Sequence, residues 1–180
     1  MPEKLNPIQL TAVALCTLLA VGLGLPSVAA ADPPTREPNP LPTVINPFTD
    51  TLGNNPCGFP VRVDITTNKE INTTRTSKNG VTTIQTTGAL KVRLTNTDSG
   101  KAIDRNISGP IHSTVNSDGS IIQKGTGPAL WVLDPGVAPG LPRLIISKGK
   151  TESVLGPQTG AFRFITPPQS SFENLCAALA

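Results

Sequence analysis

The chain predicts an all-β fold, an antiparallel meander closed as a small barrel, with a β-sandwich as the alternative and a short C-terminal helix. Three observations carry this expectation. Apolar and polar residues alternate in run after run, the period-2 pattern of half-buried strands. Turn residues separate the runs, with Asn79-Gly80, Asp118-Gly119 and the stretch from Asp98 to Gly100 as hairpin signals. The runs recur every ~8–12 residues, so their connections are too short for crossover helices, which excludes a parallel sheet.

The first strand is set by Val61, Val63 and Ile65 alternating with Arg62, Asp64 and Thr66. Residues 67–77 are polar and Thr-rich, with Ile71 the one aliphatic anchor, and residues 81–85 read as the strand returning from the Asn79-Gly80 turn. The clearest unit is residues 90–115. In it Leu90, Val92 and Leu94 alternate with Lys91, Arg93 and Thr95, a turn follows, Ile103 and Ile107 resume the apolar face, and a Gly-Pro break leads to residues 111–115. Ile121 and Ile122 continue after Asp118-Gly119, and the apolar run 129–134, with Trp131, reads as a buried strand. Residues 135–142, rich in Gly and Pro, are a loop or flap, and residues 144–147, 151–155 and 161–165 supply three more strands. Near the end, Ser170 and Glu173 have capping-box spacing, and Phe172, Leu175, Cys176 and Leu179 share a helical face.

Upstream of the strands, Lys4 precedes an apolar run at residues 8–25, and Ala29 and Ala31 fit a small-residue cleavage rule. Residues 1–31 are thus expected to be a cleavable signal peptide, with Asp32 first in the mature chain. A transmembrane anchor is the competing reading, against which stand Gln9, Thr11, Thr17 and two interrupting glycines. No twin-arginine pair is present, which favours a general secretory route. Cleavage of residues 1–31 from the 180-residue chain leaves 149, enough for one domain and a tail. Residues 32–56, with seven prolines, read as a linker, either a tether or a segment that packs its Val44-to-Phe48 portion on the domain. The folded domain is expected over residues 57–180.

The formal charge of +3 is mild, and Lys and Arg are spread singly, so a nucleic-acid partner is not expected. Cys16 lies in the signal, where a lipoprotein reading fails because Leu15 precedes it. Cys57 and Cys176 remain, in an oxidising compartment. They allow one intramolecular disulfide, with free thiols or intermolecular bonds as the other reading.

Candidates for chemistry are sparse. His112, the only histidine, lies out of phase with Ile111 and Val115, and no G-x-S-x-G accompanies it. The strand acids are Asp64, Glu70, Asp104 and Glu152. Parity puts Asp64 and Asp104 on the polar face, while Glu70 is ambiguous because its segment has no clear apolar face. Asn72-Thr-Thr and Asn106-Ile-Ser match glycosylation sequons. Nine threonines at irregular spacing between Thr66 and Thr87 read as solvated strand surface. No cofactor, metal or catalytic set is expected. Should the barrel hold an apolar ligand, Leu130, Trp131, Leu144, Phe162 and Phe164 are the candidate lining residues.

The motifs "NPCGFPV", "VRLTNTDSGKAI", "ISGP", "DGS", "GTGPALWV" and the terminal "LCAAL" resemble small secreted proteins of unknown function from actinobacteria. The resemblance covers most of residues 55–180 and implies export, a β fold and a linked Cys57/Cys176 pair, but no activity. More weakly, the meander is similar in architecture to allene-oxide-cyclase-like or lipocalin-like barrels. The functional expectation is a secreted, non-catalytic binding or cell-envelope module. Its alternative is a small barrel enzyme or carrier for an apolar ligand. A third option, a protease inhibitor or host-directed effector, would need residues 137–141 as a rigid exposed loop.

Overall fold

Alternation of apolar and polar residues produces strands wherever one face finds a core, and the computed structural model shows fourteen of them among the residues it describes, 33–50, 52–156, 162–166 and 171–180. In chain order they are β1 (Thr35–Pro38), β2 (Val44–Ile45), β3 (Val61–Asn68), β4 (Ile71–Thr76), β5 (Thr82–Thr87), β6 (Leu90–Asn96) and β7 (Ala102–Asn106). Then follow β8 (Ile111–Val115), β9 (Ile121–Thr126), β10 (Ala129–Val132), β11 (Leu144–Ser147), β12 (Lys150–Leu155), β13 (Phe162–Thr166) and β14 (Phe172–Asn174). Among the described residues there is one helix, the short α1 (Leu175–Leu179).

All ladders are antiparallel. They form a seven-stranded sheet, β1-β4-β5-β8-β9-β12-β13, a four-stranded sheet, β2-β3-β6-β7, and a three-stranded sheet, β10-β11-β14. The chain is an up-and-down meander whose long strands each break at a corner, so that β3 runs into β4, β5 into β6, β7 into β8, β9 into β10 and β11 into β12. At one end the halves make the seven-stranded sheet. At the other the meander forks into the two smaller sheets.

The all-β antiparallel expectation holds, but none of the sheets closes into a barrel. The open edges are β1 and β13, the outermost strands of the seven-stranded sheet, which share no ladder among the described residues, and the other end of the meander forks. β8 pairs with β9, yet among the described residues their continuations β7 and β10 share no ladder. Both corners carry a proline, Pro110 and Pro128, without the N–H that would extend the pairing. The corners press together instead: a Cβ on Gly109 would sit 2.5 Å from the Pro128 carbonyl oxygen. Gly88 meets a similar constraint at the β5–β6 corner, with φ +140° and a Cβ position 2.2 Å from Lys69 O.

The two smaller sheets share one core. Val61, Val63, Val92 and Leu94 from the four-stranded sheet pack with Leu144 and Ile146 from the three-stranded one, and Leu175 and Leu179 of α1 close the end. Side chains join the sheets where ladders do not. Arg105 on β7 donates to Glu173 on β14 (Nε–Oε1 2.7 Å). Asn96 Nδ2 donates to Leu179 O (3.1 Å), and Cys176 is bonded to Cys57. The disulfide pins α1 to the chain just before β3, across a sequence separation of 119.

Three sequence expectations are revised. Residues 33–50 belong to the fold rather than standing off as a linker: β1 extends the seven-stranded sheet through β4, and β2 pairs with β3. Phe48 is 1% exposed in the core, so the packing alternative describes this segment, because its few apolar side chains find an uncovered sheet edge. The helix is shorter than the capping-box reading, since Phe172–Asn174 is taken into pairing with β11. Asn174 is the N-cap, its side chain accepting from Ala177 N, while Ser170 lies outside the described residues. Finally, residues 135–142 fold back on the outer face of the three-stranded sheet, where Ala138 and Leu141 pack with Trp131, Leu133 and Ile145. Residues 137–141 are therefore partly covered and do not form the free loop an inhibitor presents.

Candidate functional site

Of the strand acids, three sit on outer faces beside cations. Asp64 pairs with Arg62 (2.6 Å), Asp104 with Arg93 (2.9 Å) and Glu152 with Lys124 (3.4 Å). Arg93 is the main cause of a lowered Asp104 pKa, by hydrogen bonding to it. Glu70 differs. It occupies the two-residue corner between β3 and β4, where the chain leaves one sheet for another, and that turn carries its side chain inward; it is 5% exposed.

Glu70 lines a cavity of about 60 Å³ where the three sheets meet. The four-stranded sheet contributes Val63, Ile65, Leu90 and Val92, and the corner after β7 contributes Ile107. The seven-stranded sheet adds Thr86 and Ile111, which face each other in register, and the three-stranded sheet adds Ala129, Leu130 and Trp131. The strap of residues 33–50 supplies Asn39, Ile45 and Phe48.

A chain of hydrogen bonds runs along the polar side. Thr86 Oγ1 donates to Asn72 Oδ1 (2.7 Å), Asn72 Nδ2 to Asn39 Oδ1 (3.1 Å), and Asn39 Nδ2 to Glu70 Oε2 (2.9 Å). The backbone locks the same corner: Asn39 N donates to Glu70 O (3.0 Å), and Glu70 N donates to Asn68 Oδ1 (3.0 Å). Burial raises the Glu70 pKa, and the Asn39 hydrogen bond offsets this only in part. No Lys, Arg or His pairs with Glu70 among the described residues.

The candidate residues from the sequence scatter. Leu130 and Trp131 line the cavity; Trp131 also donates from Nε1 to Ser147 Oγ (2.8 Å) on the far side of its sheet. Leu144 is fully buried in the core between the small sheets and does not line the cavity. Phe162 and Phe164 lie on β13, with their side chains outside the described residues. Cys57 and Cys176 are bonded to each other. His112 is exposed on the opposite face of the seven-stranded sheet, in a row with Thr73, Gln85 and Lys124, and so does not meet Glu70 or Asp104. Asn72 is engaged in the hydrogen-bond chain at both ends of its amide, whereas Asn106 is exposed, with Oδ1 accepting from Ser108.

Sequence reasoning missed Asn39, Ile45, Phe48 and Thr86, and left Glu70 undecided. The only signal for Glu70 was its place between two strand patterns; Asn39, among prolines, carried none.

No protein-family model matches the chain, no curated protein matches it in sequence, and no solved structure matches it in fold.

Proposed function

We propose that the chain is an exported, non-catalytic binding module, acting outside the cytoplasm or at the cell envelope, with the Glu70 cleft as its contact for a small apolar group. The observation that carries this reading is the cleft itself: an apolar wall built from three sheets, interrupted by one carboxyl and its neighbours Asn39 and Thr86. Glu70 is the one titratable side chain among the lining residues, without a histidine or second carboxylate beside it. Export is supported by the apolar run at residues 8–25 and the Ala29/Ala31 site, and the Cys57–Cys176 bond is compatible with it. Among the described residues, no helix is long and apolar enough to cross a membrane.

Size limits what the cleft takes. A volume of about 60 Å³ is well below the ~300–1,000 Å³ of sites that engulf a whole ligand. It suits roughly four or five heavy atoms, at about 10–15 Å³ for each water-sized occupant. At a ceiling of ~1.5 kcal/mol per atom, five atoms supply at most ~7 kcal/mol, a dissociation constant in the micromolar range at best. The cleft therefore reads as a socket for the end of an aliphatic chain, not as a deep carrier calyx.

Titration of the isoleucine-methyl-labelled protein with butan-1-ol tests this. Shifts confined to the methyl groups of Ile45, Ile65, Ile107 and Ile111 are expected. Absence of saturable shifts, or shifts spread evenly over all isoleucines, refutes the reading.

A further inference from the structure

We infer that the polar end of the cleft's ligand is a primary ammonium group on a short alkyl arm, held by the Glu70 carboxylate; this rests on the binding reading above. Three features of the site point to a cationic donor.

The first is the valence of the carboxylate. Oε2 accepts from Asn39, and no donor among the described residues reaches Oε1. Yet no buried side-chain oxygen or nitrogen among the described residues lacks a partner, so Oε1 is not sealed in protein and opens to accessible space. It is an acceptor waiting for a donor beside an apolar wall.

The second is direction. Thr86, Asn72 and Asn39 pass their hydrogens one to the next toward Glu70, so that both amides present donors toward the carboxylate and turn their oxygens away. Such a chain stabilises negative charge at its end. A ligand donor at this point meets Oε1, the acceptor that no protein donor among the described residues reaches.

The third is charge. Arg62, Arg93, Arg105, Lys124 and Arg143 have carboxylates of their own, and the Glu70 carboxylate has no counterion among the described residues. An ammonium group at Oε1 fills that place, adding an ion pair to the hydrogen bond that an alcohol would make there alone. Its alkyl arm then lies against Ile65, Ile107, Ile111 and Leu130, in space for roughly four or five heavy atoms.

The test compares n-butylammonium with butan-1-ol on the protein from Asp32 onward, each followed by isoleucine methyl shifts, and repeats both with Glu70→Gln, which keeps the shape and removes the charge. In the wild type the ammonium is expected to bind about tenfold tighter than the alcohol. In Glu70→Gln that preference disappears. Equal affinity of the two probes for the wild type overturns the inference, as does a preference that survives in Glu70→Gln; in either case alcohol binding leaves the apolar-socket reading intact. If neither probe moves the cleft methyls, the binding reading itself falls. The wild-type comparison needs no variant, so it decides the matter even where Glu70→Gln fails to fold.

Discussion

Replacing Asp50 with alanine removes the carboxylate that fastens the strap of residues 33–50 to the chain entering β11. The Asp50 side chain is 0% exposed. Its Oδ1 accepts from the amides of Leu52 (2.9 Å) and Asn54 (2.8 Å), and its Oδ2 pairs with Arg143, whose Nε also donates to Leu133 O (3.2 Å). Alanine leaves two backbone amides without an acceptor, at about 1 kcal/mol each. It also leaves the Arg143 guanidinium without its partner; being 30% exposed, that group recovers some hydration, so this loss is about 1–2 kcal/mol and not the ~3–5 of a fully buried pair. The expected total is about 3–4 kcal/mol, read from urea unfolding followed by Trp131 fluorescence at pH 7. A double-mutant cycle with Arg143→Met isolates the pair and should return a coupling of about 1–2 kcal/mol. Asp50→Ala costing less than about 1 kcal/mol, or a cycle with no coupling, refutes the account of the strap as fastened here. Acid supplies an independent reading. Burial works to raise the Asp50 pKa, but the amides of Asn54 and Leu52 and the Arg143 charge outweigh it and hold it below its ordinary 3.8. A carboxyl lowered on folding contributes stability that is present above its ordinary pKa and lost as pH falls through the folded value. Asp50→Asn should accordingly flatten the acid limb of stability below about pH 4.

Gly88→Ala should cost at least about 3 kcal/mol, because φ is +140° and the new Cβ meets Lys69 O at 2.2 Å. Gly100→Ala, at φ +76° with nothing within 4 Å, should cost only about 1 kcal/mol; equal losses in chemical denaturation would contradict the corner argument. Cys57→Ser/Cys176→Ser should lower stability by up to about 5 kcal/mol, the chain-entropy value for a loop of 119 residues. A loss under about 2 kcal/mol would show that the unfolded chain stays compact without the bond. Glu70→Gln should change the pH profile in the opposite sense to Asp50→Asn. The raised Glu70 pKa, caused by burial, means stability present below the ordinary 4.5 and lost as pH rises through the folded value, so the Gln variant gains on the wild type as pH rises above that ordinary value. A Gln variant that loses ground over that rise would refute the assignment of Glu70 as a desolvated, uncompensated carboxyl.

The local pattern of residues 90–115 is legible because each of its signals is short-range. Leu90, Val92 and Leu94 are buried and Lys91 and Arg93 exposed, as alternation requires, and Gly100 takes positive φ in the turn. The same holds for His112 and Asp104, whose outward placement follows from parity with their neighbours. Legibility fails at the corners and in the strap. A meander of hairpins looks identical in sequence whether its ends close or fork, because closure depends on pairing between the outermost strands, β1 with β13, and forking on β7 with β10, segments whose contact no local pattern encodes. Ser170 and Glu173 have the spacing of a cap, but pairing of Phe172–Asn174 with β11 outcompetes a helix too short to stand alone.

By itself the sequence determined the all-β class, most turn positions and which face of the clearly alternating strands is greasy, since these rest on backbone geometry and period-2 alternation. Only the tertiary structure decided that the barrel stays open, that the proline-rich strap is part of the fold, and that Glu70 faces an apolar cleft. Those outcomes arise where chain segments distant in sequence meet: Asn39 reaches Glu70 across 31 positions, and Asp50 reaches Arg143 across 93. The desolvation and hydrogen bonding that give these residues their character exist only once the sheets have come together.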